Sequence, residues 1–582
     1  MTAVSTEVLF AGGDTVVEAR PGETLMSCMR RAGVSVDSAC DGRGICGRCR
    51  VTVLGELSPP DEKERMHLEG LPPDVRLACM SKVLGRVRVT VSDDWTRLTS
   101  VFGIPARGMS VDCVAKRVAL PQVELRSPLP YAEGLPFRVS DPRVLNKISV
   151  WERGTNAASA VIFGDEMLDI RADGEPLLGV AVDLGTTSLA LNVFNLETGE
   201  PVGRGSALNP QTAFGGDVIT RINYCRRTPE GVQVLSAAAI RELGAMLDRA
   251  LGPRHGRDQV YLMVVAGNTA MLHILAGIQP LSLALAPFRP EFLASLVLDA
   301  DRSGMPMNPH GRCILLPGAS AYIGADIIAG LAATCREAGA GIAIFIDIGT
   351  NGEIVLIEAP DRMLGASCAL GPALEGMNIS CGCRAVPGAV DSFTLDENLD
   401  PRLTTIEGRP AVGICGSGLI DLTAALVRAG LISRSGAFNP KADGRLTARM
   451  KGDRYHLTDD IFLTQRDVRQ VQLAKGAVLS GILTLLKEAG RSVGDVAEIL
   501  VAGSFGYHLN ADSLRVVGLL PKDFEGQVRF LGNAALSGAS LALLNQGALH
   551  DMGKIPGRVR VVELGSNPTF RSHFLSSLHF QV

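Results

Sequence analysis

Positive charge is nowhere concentrated in this chain of 582 residues. Its 57 lysines and arginines stand against 61 aspartates and glutamates, for a net charge of -4, and no basic block stands out. Nothing in that balance favours nucleic acid. Also missing is any apolar run near the ~18 residues of a membrane span. The opening residues, MTAVSTEVLFAGGDTV, lack a basic stretch followed by an apolar one. Neither a membrane segment nor a secretory leader is therefore expected, which points to the cytoplasm. Aromatic residues make up only 4%, whereas 65 glycines allow many tight turns. With 46% hydrophobic and 20% charged residues the composition is that of an ordinary folded protein. At roughly 150 residues per domain the length allows about four cores. Thirteen cysteines in a reducing compartment do not make a disulfide framework, and most read as small core residues.

The exception is CDGRGICGRCRV, which spaces Cys40, Cys46 and Cys49 as C-x5-C-x2-C. Around it, TEVLF and DTVVEAR read as a hairpin and PGETLMSCMRRAGV as a helix with Leu25, Cys28, Met29 and Ala32 on one face. CRVTVL reads as a further strand, and Cys79 in RLAC precedes another. Four thiolates can ligate iron, and Gly42, Gly44 and Gly47 allow backbone N–H groups to turn toward cluster sulfides. Plant-type 2Fe–2S ferredoxins use C-x4-C-x2-C with a distant fourth cysteine, one residue shorter in the first gap. Zinc is the rival reading, but zinc sites usually pair two knuckles and only one is present. The loop and its RLAC ligand resemble 2Fe–2S ferredoxins of the β-grasp type, with Cys40, Cys46, Cys49 and Cys79 as ligands.

Residues 96–175 carry little signal beyond scattered prolines. From Leu178 the pattern changes. GVAVDLGTTSLALNVF is a strand ending at Asp183, a Gly-Thr-Thr turn and a returning strand. GIAIFIDIGTNGEIVLIE repeats the design around Asp347, 164 residues later. A second echo links VVAGN around Gly267 to LVAGS around Gly503. Two kinds of element, each occurring twice, indicate a duplicated α/β unit. A glycine turn can aim backbone N–H groups at phosphate, and a nearby aspartate can hold Mg²⁺ through its waters. One such turn is more often only a turn. Two facing hairpins would grip a triphosphate through Gly185, Thr186 and Thr187 on one side and Gly349, Thr350, Asn351 and Gly352 on the other. VGICGSGLIDL adds a glycine turn running into an apolar-faced helix. Gly413, Gly416, Ser417 and Gly418 either let adenosine lie against bare backbone or permit a close strand–helix contact.

In this order the pieces resemble the acetate kinase, sugar kinase, Hsp70 and actin superfamily. Asp183–Thr187 looks like its first phosphate motif, Asp347–Gly352 its second and Gly413–Gly418 its adenosine motif. By that resemblance Asp326, on the first connecting helix, is a candidate for orienting an attacking water; a helix-surface aspartate is the plainer alternative. A 2Fe–2S ferredoxin fused to such an ATPase resembles the reductive activators of corrinoid proteins. NPQTAFGGDVITRI (209–222), GPALEGMNISCGCRAVPGAVD (371–391) and LTQRDVRQVQLAKGA (463–477) extend the resemblance along the chain. The Cys381-x-Cys383 pair departs from it, and packing beside the cleft is its plainer reading.

The resemblance implies an α/β multidomain protein. A β-grasp 2Fe–2S domain would occupy 1–95, a linker and small middle domain 96–175, and a duplicated actin-like ATPase 176–582. It implies one-electron return of inactive Co(II) to Co(I) with a 2Fe–2S cluster, ATP and Mg²⁺ as cofactors. Such clusters sit near ~−400 mV, and the family's Co(II)/Co(I) couple is more negative still. An uphill gap of ~200 mV would cost over a thousandfold at ~59 mV per factor of ten, which is the need for ATP. Asp183 and Asp347 would organise Mg²⁺ and water. The implied partners are a corrinoid protein or methyltransferase and an upstream donor such as a reductase; a homodimer suits the superfamily. Two other functions remain open: an ATP-driven activator of another low-potential enzyme, and a small-molecule kinase with a redox-sensing ferredoxin domain.

Overall fold

Alternating and continuous apolar runs divide the chain's strands into two kinds, and each kind builds a different sort of sheet. The computed structural model describes all residues except 1–5, 11–15, 21, 33, 35, 37–43, 45–48, 69–70, 91–109, 121–129, 152–157, 335–340, 504–508 and 582.

The N-terminal sheet is of the alternating kind. In Val83–Thr90 every second residue is buried, as expected of a strand covered on one face only. Its neighbours complete a five-stranded sheet in the order Val16–Ala19, Thr6–Phe10, Val83–Thr90, Arg50–Leu57, Val75–Leu77. Thr6–Phe10 and Val16–Ala19 pair antiparallel, and Thr6–Phe10 runs parallel to Val83–Thr90. Leu25, Cys28 and Met29 of helix Leu25–Ala32 are fully buried against this sheet.

A three-stranded antiparallel meander follows, Ala115–Ala119, Ala158–Phe163 and Glu166–Ala172, with helix Pro142–Trp151 packed on it through Val144 and Ile148. Buried Asp169 accepts a hydrogen bond from Tyr261 of the next lobe, and Arg312 pairs with Glu166 at 2.9 Å.

Two six-stranded sheets carry the rest. The first runs Pro201–Leu208, Ser188–Asn195, Leu178–Leu184, Val260–Gly267, Arg312–Leu315, Leu296–Asp299. The second runs Val559–Val561, Arg362–Ala369, Asn351–Ala359, Ile342–Ile348, Val496–Ala502, Gln527–Gly532. Five strands correspond: three in an antiparallel meander, then two added parallel to the central one. The extra edge strand differs, antiparallel in the first sheet and parallel in the second. The central strands are apolar almost throughout because helices cover both faces.

The glycine echo has a geometric cause in this repeat. A Cβ on Gly267 would stand 2.8 Å from the Leu184 carbonyl oxygen, and one on Gly503 would stand 2.4 Å from that of Ile348. Each glycine therefore lets a strand end lie against the residue that follows the turn aspartate. Helices Ala325–Thr334 and Ala534–Leu544 cross between the lobes. A Cβ on Gly538 would stand 2.0 Å from the Ala329 carbonyl oxygen, so glycine is what allows the backbones to meet.

Candidate functional site

The crossing helices and the two corresponding hairpins enclose a cavity of about 460 Å³ between the lobes. Asp183, Gly185, Thr186 and Thr187 line one wall, Asp347, Gly349, Thr350 and Asn351 another, and Asp326, Gly416 and Ser417 the remainder. Residues separated by hundreds of positions thus converge because each ends, or begins, an element of the repeated fold.

Asp183 and Asp347 occupy the same place, one residue before the end of the central strand of each sheet. Asp326 enters from the first turn of the helix Ala325–Thr334. All three lie deep in the molecule with a side open to the cleft. Burial pushes Asp183 up to about 6 and Asp326 up to about 7, with Asp183's charge adding to the latter. Burial, then the charges of Asp326, Asp183 and Glu375, push Asp347 up to about 8. Glu353, opposite Asp347 in the hairpin, is raised by burial and then by the charges of Asp326 and Asp347. Asp183 is also fixed by Asn533, whose amide donates to it at 2.8 Å while its own oxygen caps the helix Ala534–Leu544. Among the described residues no three His, Cys, Asp or Glu side chains form a metal cage. Separated carboxylates facing one cleft suit Mg²⁺, which keeps waters and phosphate oxygens and takes only one or two carboxylates.

The threonine hydroxyls Thr187 Oγ1 and Thr350 Oγ1 meet across the cleft at 3.2 Å. Both donate to Glu375, at 3.0 and 3.2 Å respectively. A carboxylate thus joins the two hairpins across the cleft. Glu375 lies in a short turn, Pro372–Glu375, between Gly371 and Gly376, both at positive φ. Burial raises its pKa, and Arg384 in the cleft wall opposes that.

Not every glycine singled out in the sequence reaches the cavity. Gly352, Gly413 and Gly418 stand behind it. Added Cβ atoms would lie 2.9 Å from Leu370, 2.8 Å from the Cys383 sulfur and 2.2 Å from the Val390 carbonyl oxygen respectively. Their bareness admits neighbouring chain segments. Gly416 and Ser417 do face the cavity, at the start of helix Gly416–Arg428, with Ser417 Oγ donating to the Asp391 carbonyl at 2.8 Å. Cys381 accepts from Phe462 N–H at 3.5 Å and Cys383 backs onto Gly413, which is packing beside the cleft. Asn268 donates to Thr186 Oγ1 at 2.9 Å while capping the helix Thr269–Leu275. Glu375, Glu353 and Arg384 had not been singled out, whereas the stretch FLGNAALSGA that holds Asn533 was expected near the cleft. Only Asn533 had a local signal, an asparagine directly before an apolar helix.

Of the four cluster cysteines, Cys40 and Cys46 lie outside the described residues. Cys49 and Cys79 are neighbours: the Cys79 N–H donates to the Cys49 sulfur at 3.5 Å. Buried Glu64 holds the strand before Cys79, taking both Nε and Nη2 of Arg76 at 2.9 Å and the Leu77 N–H at 2.9 Å. Two neighbouring cysteines, the sulfur of one already accepting the backbone N–H of the other, fit the thiolate donor set of an iron–sulfur centre.

Family models match most of the chain: a 2Fe–2S iron–sulfur cluster binding domain over residues 9–84, the RACo middle region over 178–336, and the C-terminal ASKHA domain of RACo over 341–582. The corrinoid activation enzyme RamQ of Eubacterium limosum is 29% identical over 94% of both chains. A [Co(II) methylated amine-specific corrinoid protein] reductase of Methanosarcina barkeri is 26% identical over 69% of this chain and 77% of its own. A solved reductive activator for corrinoid, iron–sulfur protein superposes with a TM-score of 0.74 and 29% identity, covering 99% of this chain and 98% of its own. Among the described residues no helix is long and apolar enough to cross a membrane.

Proposed function

The chain belongs to the reductive activators of corrinoid proteins, and from that premise we propose that the cleft between its lobes binds Mg-ATP while its N-terminal domain carries the electron. The activity is ATP-dependent, one-electron reduction of Co(II) to Co(I) in a corrinoid protein. The observation that carries the reading is the meeting of two equivalent Asp-x-Gly-Thr hairpins in one cavity, in a chain whose other end is a ferredoxin domain.

Cys40, Cys46, Cys49 and Cys79 would hold the 2Fe–2S cluster, which supplies the single electron when bound. The Gly185–Thr187 and Gly349–Asn351 turns receive phosphate through N–H groups and threonine hydroxyls, and Gly416–Ser417 borders the adenosine. Asp183 and Asp347 would hold Mg²⁺, which would neutralise phosphate charge, and Asp326 would orient water toward the terminal phosphate. Mg²⁺ held there would offset the repulsion among the three aspartates. For phosphate to bind, Glu375 must release Thr187 and Thr350. Closure of the lobes on nucleotide would then alter the geometry presented to the corrinoid partner. An upstream reductase would resupply the electron in a reducing cytoplasm.

The test separates the two chemistries. Cys46→Ser is expected to lose electron transfer to a Co(II) corrinoid protein while binding Mg-ATP like the parent. Asp183→Ala is expected to keep a reducible cluster and lose ATP binding. A folded single variant that loses both the reducible cluster and Mg-ATP binding would contradict this division.

A further inference from the structure

The first phosphate turn is held from behind more firmly than anything in its own sequence requires. All three of its carbonyl groups are taken by one neighbouring segment. Asn209 Nδ2 donates to the Gly185 oxygen at 2.8 Å, and Asn209 N–H to the Thr187 oxygen at 2.9 Å. Arg221 Nη2 donates to the Thr186 oxygen at 2.5 Å. Both side chains belong to the stretch 209–222, whose role the nucleotide site leaves unassigned.

Arg221 is the only buried arginine among the described residues. Its fork is filled on every side. Nε donates to the Gly215 oxygen at 2.9 Å, and Nη1 reaches Gln211 Oε1 at 3.2 Å and the Met271 sulfur at 3.1 Å. Gln211 in turn donates to the Leu235 oxygen at 3.0 Å, and its own N–H is held by Asn209 Oδ1 at 3.0 Å. Burial pulls Arg221 down to about 9 and Asp217's charge opposes the fall, so it is a cation at neutral pH. Burying such a charge is expensive unless it is fully hydrogen-bonded. A merely structural contact at this place could be made by neutral groups.

Peptide planarity says what these bonds achieve. In a trans peptide the C=O of one residue and the N–H of the next point in opposite directions. Tying back the oxygens of Gly185, Thr186 and Thr187 therefore turns the N–H groups of Thr186, Thr187 and Ser188 the other way. All three residues line the nucleotide cavity. Among the described residues no side chain donates to the carbonyl groups of the second turn. Its Gly349 N–H bonds within the hairpin to the Asn351 oxygen at 2.9 Å, and Thr350, like Thr187, is held from the cleft side by Glu375.

The geometry points to Asn209 and Arg221 as positioning residues: they preset the first turn as a phosphate-binding row of N–H groups and place a buried positive charge directly behind it. This rests on the nucleotide reading of the cleft and deepens it, since it says how the first hairpin is readied for phosphate.

The experiment compares Mg-ATP, inorganic tripolyphosphate and adenosine binding to the full-length protein by calorimetry. Arg221→Met, which keeps length and loses the fork and charge, is expected to weaken ATP and tripolyphosphate at least tenfold and leave adenosine within twofold. Arg221→Lys, which restores charge but not the fork, is expected to recover part of the loss. Asn209→Ala is expected to show the same selectivity for phosphate and serves if Arg221→Met does not fold. Equal weakening of adenosine and ATP in the folded variants would mean a structural role only and overturn the inference. So would unchanged ATP binding in both Arg221→Met and Asn209→Ala. Failure of the parent protein itself to bind ATP would instead overturn the reading of the cleft.

Discussion

Three aspartates that face one cleft cannot all ionise cheaply, and their titration gives the site a pH signature. Their folded values, about 6 for Asp183, about 7 for Asp326 and about 8 for Asp347, lie above the 3.8 of an unperturbed aspartate. A carboxyl raised on folding stabilises the fold below its unfolded value, and that stability is lost as pH rises through the folded one. These three groups are thus expected to pull the thermal stability of the nucleotide-free protein down as pH rises from about 4 to 8, and Asp347→Asn to flatten that contribution. Unfolding curves of both across that range check it; parallel curves would mean that Asp347 is already paired with a cation or ionised at little cost. Glu375 makes a second case. Its carboxylate accepts from both Thr187 and Thr350, so phosphate bound there would have to displace it. Glu375→Gln is expected to tighten Mg-ATP binding roughly fivefold, the equivalent of about 1 kcal/mol. Weaker binding in calorimetry would instead make Glu375 a ligand of Mg²⁺.

Among the elements, some were legible in the sequence and some were not, for a physical reason. The two hairpins could be read because a buried strand, a terminal aspartate and a glycine turn are all local, and the pattern occurs twice. Gly267 and Gly503 echo because each admits the same strand end. Gly352, Gly413 and Gly418 were expected to face nucleotide, yet they admit Leu370, Cys383 and Val390. A glycine bare for a ligand and one bare for a neighbouring chain look alike in sequence. Glu375 and Arg221 gave no local sign because their partners lie far along the chain. Lys475, in the stretch 463–477, is similar. It sits buried on the helix Gln465–Glu488, donates to the His579 carbonyl and lies 5.3 Å from the Phe580 ring centre. Gln472 beside it donates to the Leu578 oxygen at 2.8 Å. The helix thereby fastens the C-terminal residues. Burial lowers Lys475 to about 7 from 10.5, so the unfolded chain binds the extra proton between those values and stability rises with pH there. Lys475→Met is expected to remove that rise in melting curves from pH 7 to 10; an unaltered rise would mean that Lys475 stays charged in the fold.

At the scale of the whole molecule, the chain joins an electron carrier to a two-lobed nucleotide machine, and neither part alone explains the other. A ferredoxin domain needs no ATPase to pass electrons downhill, and a small-molecule kinase needs no cluster. The lobes repeat one five-strand sheet, and the helices Ala325–Thr334 and Ala534–Leu544 cross where the lobes meet. Asp183 of the first lobe is hydrogen-bonded to Asn533 at the head of the second of these helices, so cleft chemistry and lobe orientation share a residue pair. Linking an uphill electron transfer to lobe closure is what such an arrangement offers. The direct measurement is visible absorption of an anaerobic mixture of the reduced protein and a Co(II) corrinoid protein, followed with and without Mg-ATP. The account predicts the Co(I) band only when Mg-ATP is present. Its appearance at the same rate and extent without nucleotide, or persistent Co(II) across several corrinoid partners with the cluster reduced, would contradict it.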